Sequence, residues 1–371
     1  MDKTKQPLLR HLNWILLGCT LALFLVGEIN LVSASGARLE AGIMQNSFYQ
    51  RQLIWGLIGL VCMTCVICFD YHKLVRVSWY FYGITLILLI LVPIAGTTVY
   101  GAKRWLSLGS FSIQPSEMAK FALLLVTAKI LSTRTEVLGW KDFGIILLVA
   151  APPLLLILKQ PDLGSALMLI FIVGGMVVFH GLKASIVGVS VLALPCIAAF
   201  MWFVGMHDYQ RQRILTFIAP EDDPLGSGYH ILQSIIAIGS GQLWGKGFAQ
   251  GSQSQLRFLP ERHSDFALAV FGEEWGYVGC VVLIGLFVLF MMAILTTIIQ
   301  SKDRFGSMLC VGVFFYFFAE ISINMGMVVG LMPVVGIPLP FISYGGSATI
   351  INFTLVGLVL GISMRRKILH R

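Results

Sequence analysis

The chain is divided into about ten apolar runs of membrane-spanning length, and that alone removes most folds from consideration. The runs lie near residues 13–34, 52–69, 77–98, 117–132, 143–159, 163–180, 185–206, 266–299, 307–330 and 348–364. A helix needs roughly 20 apolar residues to cross the hydrocarbon core. Inside that core only a helix or a closed barrel satisfies its own backbone. Ten such helices would take up roughly 200 residues, close to the 57% of the 371 residues that are hydrophobic. The expectation is an all-α polytopic membrane protein, one domain over residues 1–371, with no separate soluble unit.

A formal charge of +8 raises the question of nucleic acid, and the distribution of the charge answers it. With the N-terminus placed inside, the inner segments hold Lys3, Lys5, Arg10, Lys73, Arg76, Lys129, Arg134, Lys141, Lys183, Lys302, Arg304, Arg365, Arg366, Lys367 and Arg371. The short outer loops hold only Arg38, Arg51, Lys103, Arg104 and Lys159. This asymmetry is the positive-inside pattern, so the basic excess is topological, both termini are expected in the cytoplasm, and no nucleic-acid partner is expected. The first apolar run is too long for a cleavable signal peptide. Cys19, Cys62, Cys65, Cys68, Cys196, Cys280 and Cys310 all fall within expected spans and read as small packing residues.

Three segments between spans stand out on the expected outer side. Residues 207–265, between spans seven and eight, mix glycines, charges and apolar residues. They read as a large folded extracytoplasmic loop with short interfacial helices; loops of this length are usually functional. Residues 99–117 place Trp105 and Phe111 among basic residues, as at a membrane surface. Residues 331–346, LMPVVGIPLPFISYGG, are apolar but broken by Pro and Gly. They read as a re-entrant stretch that must be buried in protein or line a cavity.

On this topology the spans starting near Glu117, Asp162, Asp265 and Ser347 begin on the same side. Their free backbone N–H groups and dipoles would together favour an anion. Asp265 ends the ionisable run Glu261, Arg262, His263 at the mouth of a membrane helix. It reads either as a helix cap or as a tuned base. Ser116 is a natural cap for the fourth span. Glu117 and Lys120 are an i, i+3 pair inside it, and an ionisable group in a span faces a cavity or a partner. Asp162 reads first as a cap. Lys103, Arg104, Arg211 and Arg213 are outer cations suited to headgroups or to a phosphorylated substrate. His207, His230 and His263 make no convincing metal triad, and Glu28 and Glu320 carry no motif that assigns them a role.

GAKRWLSLGSFSIQPSEMAK, QPDLGSA, DPLGSGYHILQSIIAIGSGQLWGKG, QSQLRFLPERHSDF and PLPFISYGGSA together resemble the SEDS family (shape, elongation, division and sporulation proteins), in family order and over nearly the whole chain. HDYQRQRI and GSQSQLRFLPERHSDF resemble its rod-shape branch more than its division branch. Ser264 stands where the family usually has Thr, and Ala267-Leu268 replaces Ile-Phe. The resemblance implies a peptidoglycan glycosyltransferase that polymerises lipid II at the outer face of the bacterial cytoplasmic (inner) membrane for cell elongation. It places the essential aspartate on Asp265. Glu117, Lys120, Arg104, Arg211, Arg213, Asp162, His263, Ser343 and Ser347 are the substrate-binding candidates. A divalent cation, Mg or Mn, is a possible helper, and no organic cofactor is expected. The implied partners are a class B penicillin-binding protein and the elongation machinery, within membrane lipids. A groove opening sideways to the bilayer is expected for the lipid tails. A lipid II flippase would show internal repeats and midplane polar residues, and the polar motifs here crowd the helix ends. A pure scaffold would tolerate Asp265→Ala.

Overall fold

The computed structural model describes residues 11–35, 48–99, 102–108, 111–206, 208–222, 226–256, 258–259 and 261–365. His207, Arg38, Lys3, Lys5, Arg10, Arg366, Lys367 and Arg371 lie outside them. Ten long helices stand where the apolar runs predict them: α1 (Trp14–Ala34), α2 (Phe48–Cys68), α3 (Leu74–Ala95), α4 (Pro115–Ser132), α5 (Trp140–Lys159), α6 (Leu163–His180), α7 (Ala184–Phe200), then α11 (Ala267–Gln300), α12 (Arg304–Val328) and α13 (Gly346–Met364). Among the described residues nine helices are long and apolar enough to cross a membrane. α4 is the tenth, and it carries Glu117, Lys120 and Lys129 in 18 residues. Its position resolves the conflict: it packs among α3, α6, α12 and α13 and meets protein rather than lipid. At the other extreme, α7 buries only Ile186.

Residues 97–113 depart from the all-helical expectation. They form a three-stranded antiparallel meander, β1 (Thr97–Val99), β2 (Ala102–Leu108) and β3 (Phe111–Ile113). Trp105 pairs with Thr97 and Ser107 with Ser112, so the backbone of this outer segment is satisfied by a ladder.

The large loop is folded, as expected, into α8 (Asp208–Ile218), α9 (Ser227–Ser240) and the single turn α10 (Ser252–Gln255). α9 lies on α11 and α12, and Ser234 Oγ donates to Val328 O at 2.7 Å. Residues 242–247 then dock on a break in α11 at Gly276, where φ is 65° and ψ is −165°. Tyr277 N donates to Gln242 O at 2.8 Å and Val278 N to Leu243 O at 3.1 Å. In return Lys246 N and Gly247 N donate to the carbonyls of Glu273 and Glu274, each at 3.0 Å. The loop replaces the missing helical bonds one for one, because buried N–H and C=O groups must be paired. The short piece 267–275 is thereby set apart from the spanning piece and carries Asp265 just before its start.

Glu273, fully buried, secures the next stretch of loop. Its carboxylate accepts from Gln253 N at 2.9 Å, Ser254 N at 3.1 Å and Lys246 Nζ at 2.8 Å. Residues 331–345 are irregular, exposed at Leu331 and Met332 and largely buried from Val335 onward. Ile337, Leu339, Phe341, Ile342 and Ser343 are buried, and side chains satisfy the irregular backbone. Asn324 donates to Ile337 O at 2.7 Å, Arg213 to Val334 O at 2.9 Å, and Ser343 Oγ accepts from Leu339 N at 2.9 Å.

Candidate active site

A cavity of about 830 Å³ opens where α2, α4, α6 and α13 begin and where the chain turns into α11. Gln114, Glu117 and Lys120 come from the start of α4, and Asp162 and Ser165 from the start of α6. Gly345 and Ser347 come from the start of α13, and Glu261, His263 and Asp265 from the turn before α11. Arg104 and Trp105 close one side from β2, and Arg51 and Trp55 another from α2. The convergence of helix N-termini predicted from alternating spans is therefore real. It directs their dipoles into one polar space.

Asp265 does not cap α11. The helix begins after Phe266 with no side-chain cap bond, and the carboxylate faces the cavity, with Oδ2 against Gly336. Burial, helped by the charge of Glu261, pushes its carboxyl up to about 6. Arg213 and a hydrogen bond from Ser264 pull the other way. A carboxylate raised this far is a better base than an exposed one and is still ionised at neutral pH. Glu261, with φ +45°, accepts from Ser264 Oγ at 3.1 Å. His263 stacks on Phe48 at 4.1 Å between centroids. Burial holds its pKa below the usual imidazole range, so it adds no fixed positive charge at neutral pH.

Lys120 forms the expected pair with Glu117, Nζ to Oε1 at 2.7 Å. A third member was not assigned from the sequence: Glu320 of α12 lies 3.4 Å from the same ammonium. The ring of Tyr316 sits 5.1 Å from it. Asp162 caps α6 as expected, accepting from Ser165 N at 3.2 Å and Ser165 Oγ at 2.8 Å. Ser116 is not the cap of α4, since Gln114 holds that place. Its hydroxyl instead donates to Asp162 Oδ2 at 3.4 Å, joining α4 to α6. Arg104 lines the cavity and donates to the carbonyl of Pro161, which fixes the guanidinium against the start of α6.

Three of the substrate-binding candidates lie off the cavity lining. Arg211 donates to the carbonyls of Trp202 and Phe203 at 2.8 and 3.1 Å, just past the end of α7, and pairs with Asp208 at 3.2 Å. A cation at a helix C-terminus is a structural arrangement. Arg213 bonds the irregular backbone of residues 331–345 and acts on Asp265 through its charge. Ser343 is buried and holds the turn of that same stretch. Conversely, Gln114, Ser165 and Tyr344 line the cavity from within the family-like motifs without standing out in them, and Arg51 and Trp55 line it from outside any motif. Among the described residues no group of three or more His, Cys, Asp or Glu side chains could hold a metal ion. A divalent cation would have to share its coordination with a ligand's oxygens.

Residues 13–368 match the family model FTSW_RODA_SPOVE, described as "Cell cycle protein". Peptidoglycan glycosyltransferase MrdB of Escherichia coli (strain K12) is 41% identical over 364 residues, covering 97% of this chain and 96% of that one. Peptidoglycan glycosyltransferase RodA of Treponema pallidum (strain Nichols) is 31% identical over 425 residues, covering 95% and 98%. Among solved structures, one described as "Structural coordination of polymerization and crosslinking by a peptidoglycan synthase complex" superposes with TM-score 0.82 at 30% identity, covering 96% of this chain and 98% of that one. The rod shape determining protein RodA of Thermus thermophilus superposes with TM-score 0.71 at 28% identity, covering 96% and 97%. The chain is a multi-pass membrane protein and belongs to the FtsW/RodA/SpoVE family of cell cycle proteins.

Proposed function

We propose that this protein is a peptidoglycan glycosyltransferase that polymerises lipid II into glycan strands for cell elongation. The observation that carries the reading is the half-buried carboxylate of Asp265. It is not used as a cap, and it faces a polar cavity into which several helices direct their N-termini. The sugar 4-hydroxyl of one lipid II attacks the anomeric carbon of the lipid-linked growing chain. A C–O bond forms there, the bond to the pyrophosphate oxygen breaks, and the hydroxyl proton passes to Asp265 as general base. Undecaprenyl pyrophosphate leaves with the negative charge. The guanidinium of Arg104, in the cavity wall, and the amides of the helix starts stabilise that charge. Lys120 contributes less than a free cation, because Glu117 and Glu320 offset it. A divalent cation such as Mg or Mn, if bound, would be held mainly by the pyrophosphate oxygens and would add positive charge there.

The cavity end of the bundle is the extracytoplasmic face of the bacterial inner membrane. Lys73, Arg76, Arg134, Lys183, Lys302, Arg304 and Arg365 flank the opposite ends of the helices, a distribution that supports a cytoplasmic location for both termini. The lipid tails leave sideways between spans. A class B penicillin-binding protein of the elongation machinery supplies cross-linking, in keeping with the synthase complex that superposes on this fold.

The test is glycan synthesis from purified lipid II with the partner present, comparing the unaltered chain with Asp265→Asn. Strands from the first and none from a well-folded second are expected. Equal polymerisation by both overturns the base assignment.

A further inference from the structure

Asn324 joins the turn carrying Asp265 to the adjoining stretch around Ile337 through a single side chain. It sits on α12 with no exposed surface. Its amide nitrogen donates to the backbone carbonyl of Asp265 at 3.1 Å and to that of Ile337 at 2.7 Å. Two carbonyl acceptors fix which end of the amide points where. Its Oδ1 is left buried without a partner, which costs free energy that an apolar residue would avoid. The position therefore uses the two donors and gains nothing from the acceptor. Ile337 follows Gly336, and Gly336 lies against Asp265 Oδ2. One amide thus fixes both the peptide of the acid and the surface its carboxylate rests on.

We infer that Asn324 is a positioning residue for the reaction: by holding the carbonyls of Asp265 and Ile337 on one amide, it fixes the carboxylate of Asp265 relative to the attacking hydroxyl. The inference rests on Asp265 acting as the base. Misplacing a catalytic group by about 1 Å costs about 10²-fold in rate. It also changes the distances from Asp265 to Glu261 and Arg213, the charges that tune it.

The experiment uses the full chain with its partner and purified lipid II. Asn324→Leu keeps the branched outline and removes both donors, and Asn324→Ser keeps one. The pH at which Asp265 is half-labelled by a carbodiimide, read by mass spectrometry, is followed beside kcat and KM. The expected result is a kcat about 10²-fold lower for Asn324→Leu, with KM nearly unchanged and a displaced labelling midpoint. Asn324→Ser should fall between. Unaltered kcat and midpoint in a folded variant overturn the inference. So does a raised KM with kcat and midpoint unchanged, since Asn324 would then hold only the binding wall. Where Asn324→Leu does not fold, Asn324→Ser decides by the same criteria. Full polymerisation by Asp265→Asn, run alongside, removes the base itself and the inference with it, whatever the Asn324 variants do.

Discussion

Lys120 and Glu320, 200 residues apart in the chain, meet 3.4 Å apart in the middle of the bundle, with Glu117 closing the group from the other side at 2.7 Å. The three side chains are all but inaccessible. Taking charges out of water is costly, and each is tolerated only because of the others. Removing the cation alone therefore leaves two carboxylates facing each other. Lys120→Met should destabilise the protein by about 3–5 kcal/mol, seen as a lowered thermal midpoint in detergent. Adding Glu320→Gln to it should recover part of the loss. A midpoint unchanged by Lys120→Met would mean that the triad contributes nothing to stability.

The ionisation of Asp265 gives activity and stability opposite pH dependences. Its carboxyl is raised from 3.8 to about 6, and a general base works only when ionised. The rate of polymerisation should be near its plateau at neutral pH and fall about tenfold per unit below about 6. The fold, by contrast, holds that proton more tightly than the unfolded chain does. The stability it contributes is present below 3.8 and is lost as pH rises through about 6. Asp265→Asn cannot ionise, so at neutral pH it should melt above the unaltered chain while making no strands. Melting curves from pH 4 to 8 on both proteins check this, and an equal midpoint throughout would refute the raised carboxyl.

Gly336 lies where the backbone and the base together exclude a side chain. Its φ is +73°, a region that costs an ordinary L-residue about 1–2 kcal/mol. A Cβ there would stand 3.3 Å from Asp265 Oδ2. Gly336→Ala should lower kcat about tenfold, because the methyl crowds Asp265 Oδ2 and shifts the base from its position, while the backbone strain lowers stability. It should also move the acid limb of the pH profile upward, because the methyl displaces water from the carboxylate. The pH profile of kcat measures both effects, and a profile that keeps its midpoint would place the methyl away from the base.

How much of this was legible in the sequence depends on how far apart the interacting groups lie along the chain. The spans were readable because bilayer thickness is written as run length, and even α4, with three charges, was found by its apolar run. Glu117 and Lys120 were readable because three residues on a helix make neighbours, and Asp162 because a cap bonds its own first turn. Glu320 was not, since nothing near it says which of many buried partners it will meet. Nor was Glu273, whose partners come from a loop about twenty residues upstream, nor Glu274, whose carboxylate accepts from Ser33 of α1. Arg211 looked like a ligand for a phosphate because an exposed cation and one bonded to carbonyls look alike in one dimension. The cap reading of Asp265 was equally open until the helix start fell one residue beyond it.

The break at Gly276 decides whether the large loop stays in place. At φ 65° and ψ −165° the residue occupies a region open essentially only to glycine, and an alanine there pays about 1–3 kcal/mol in backbone strain alone. Its Cβ would also stand 2.3 Å from Gly245 N and 2.8 Å from Leu243 O, so the docked segment would have to move. Moving it exposes the four backbone bonds that join residues 242–247 to the broken turn, and it separates Lys246 from Glu273. Gly276→Ala should therefore free this part of the loop while the membrane-embedded bundle stays assembled, because the spans themselves keep their packing. Limited trypsin digestion in detergent should cut the variant after Lys246 at least tenfold faster than the unaltered chain, a ratio matching about 1.4 kcal/mol of lost docking. Equal cleavage rates would show that the loop is held by α9 and α10 alone and that the break serves some other purpose.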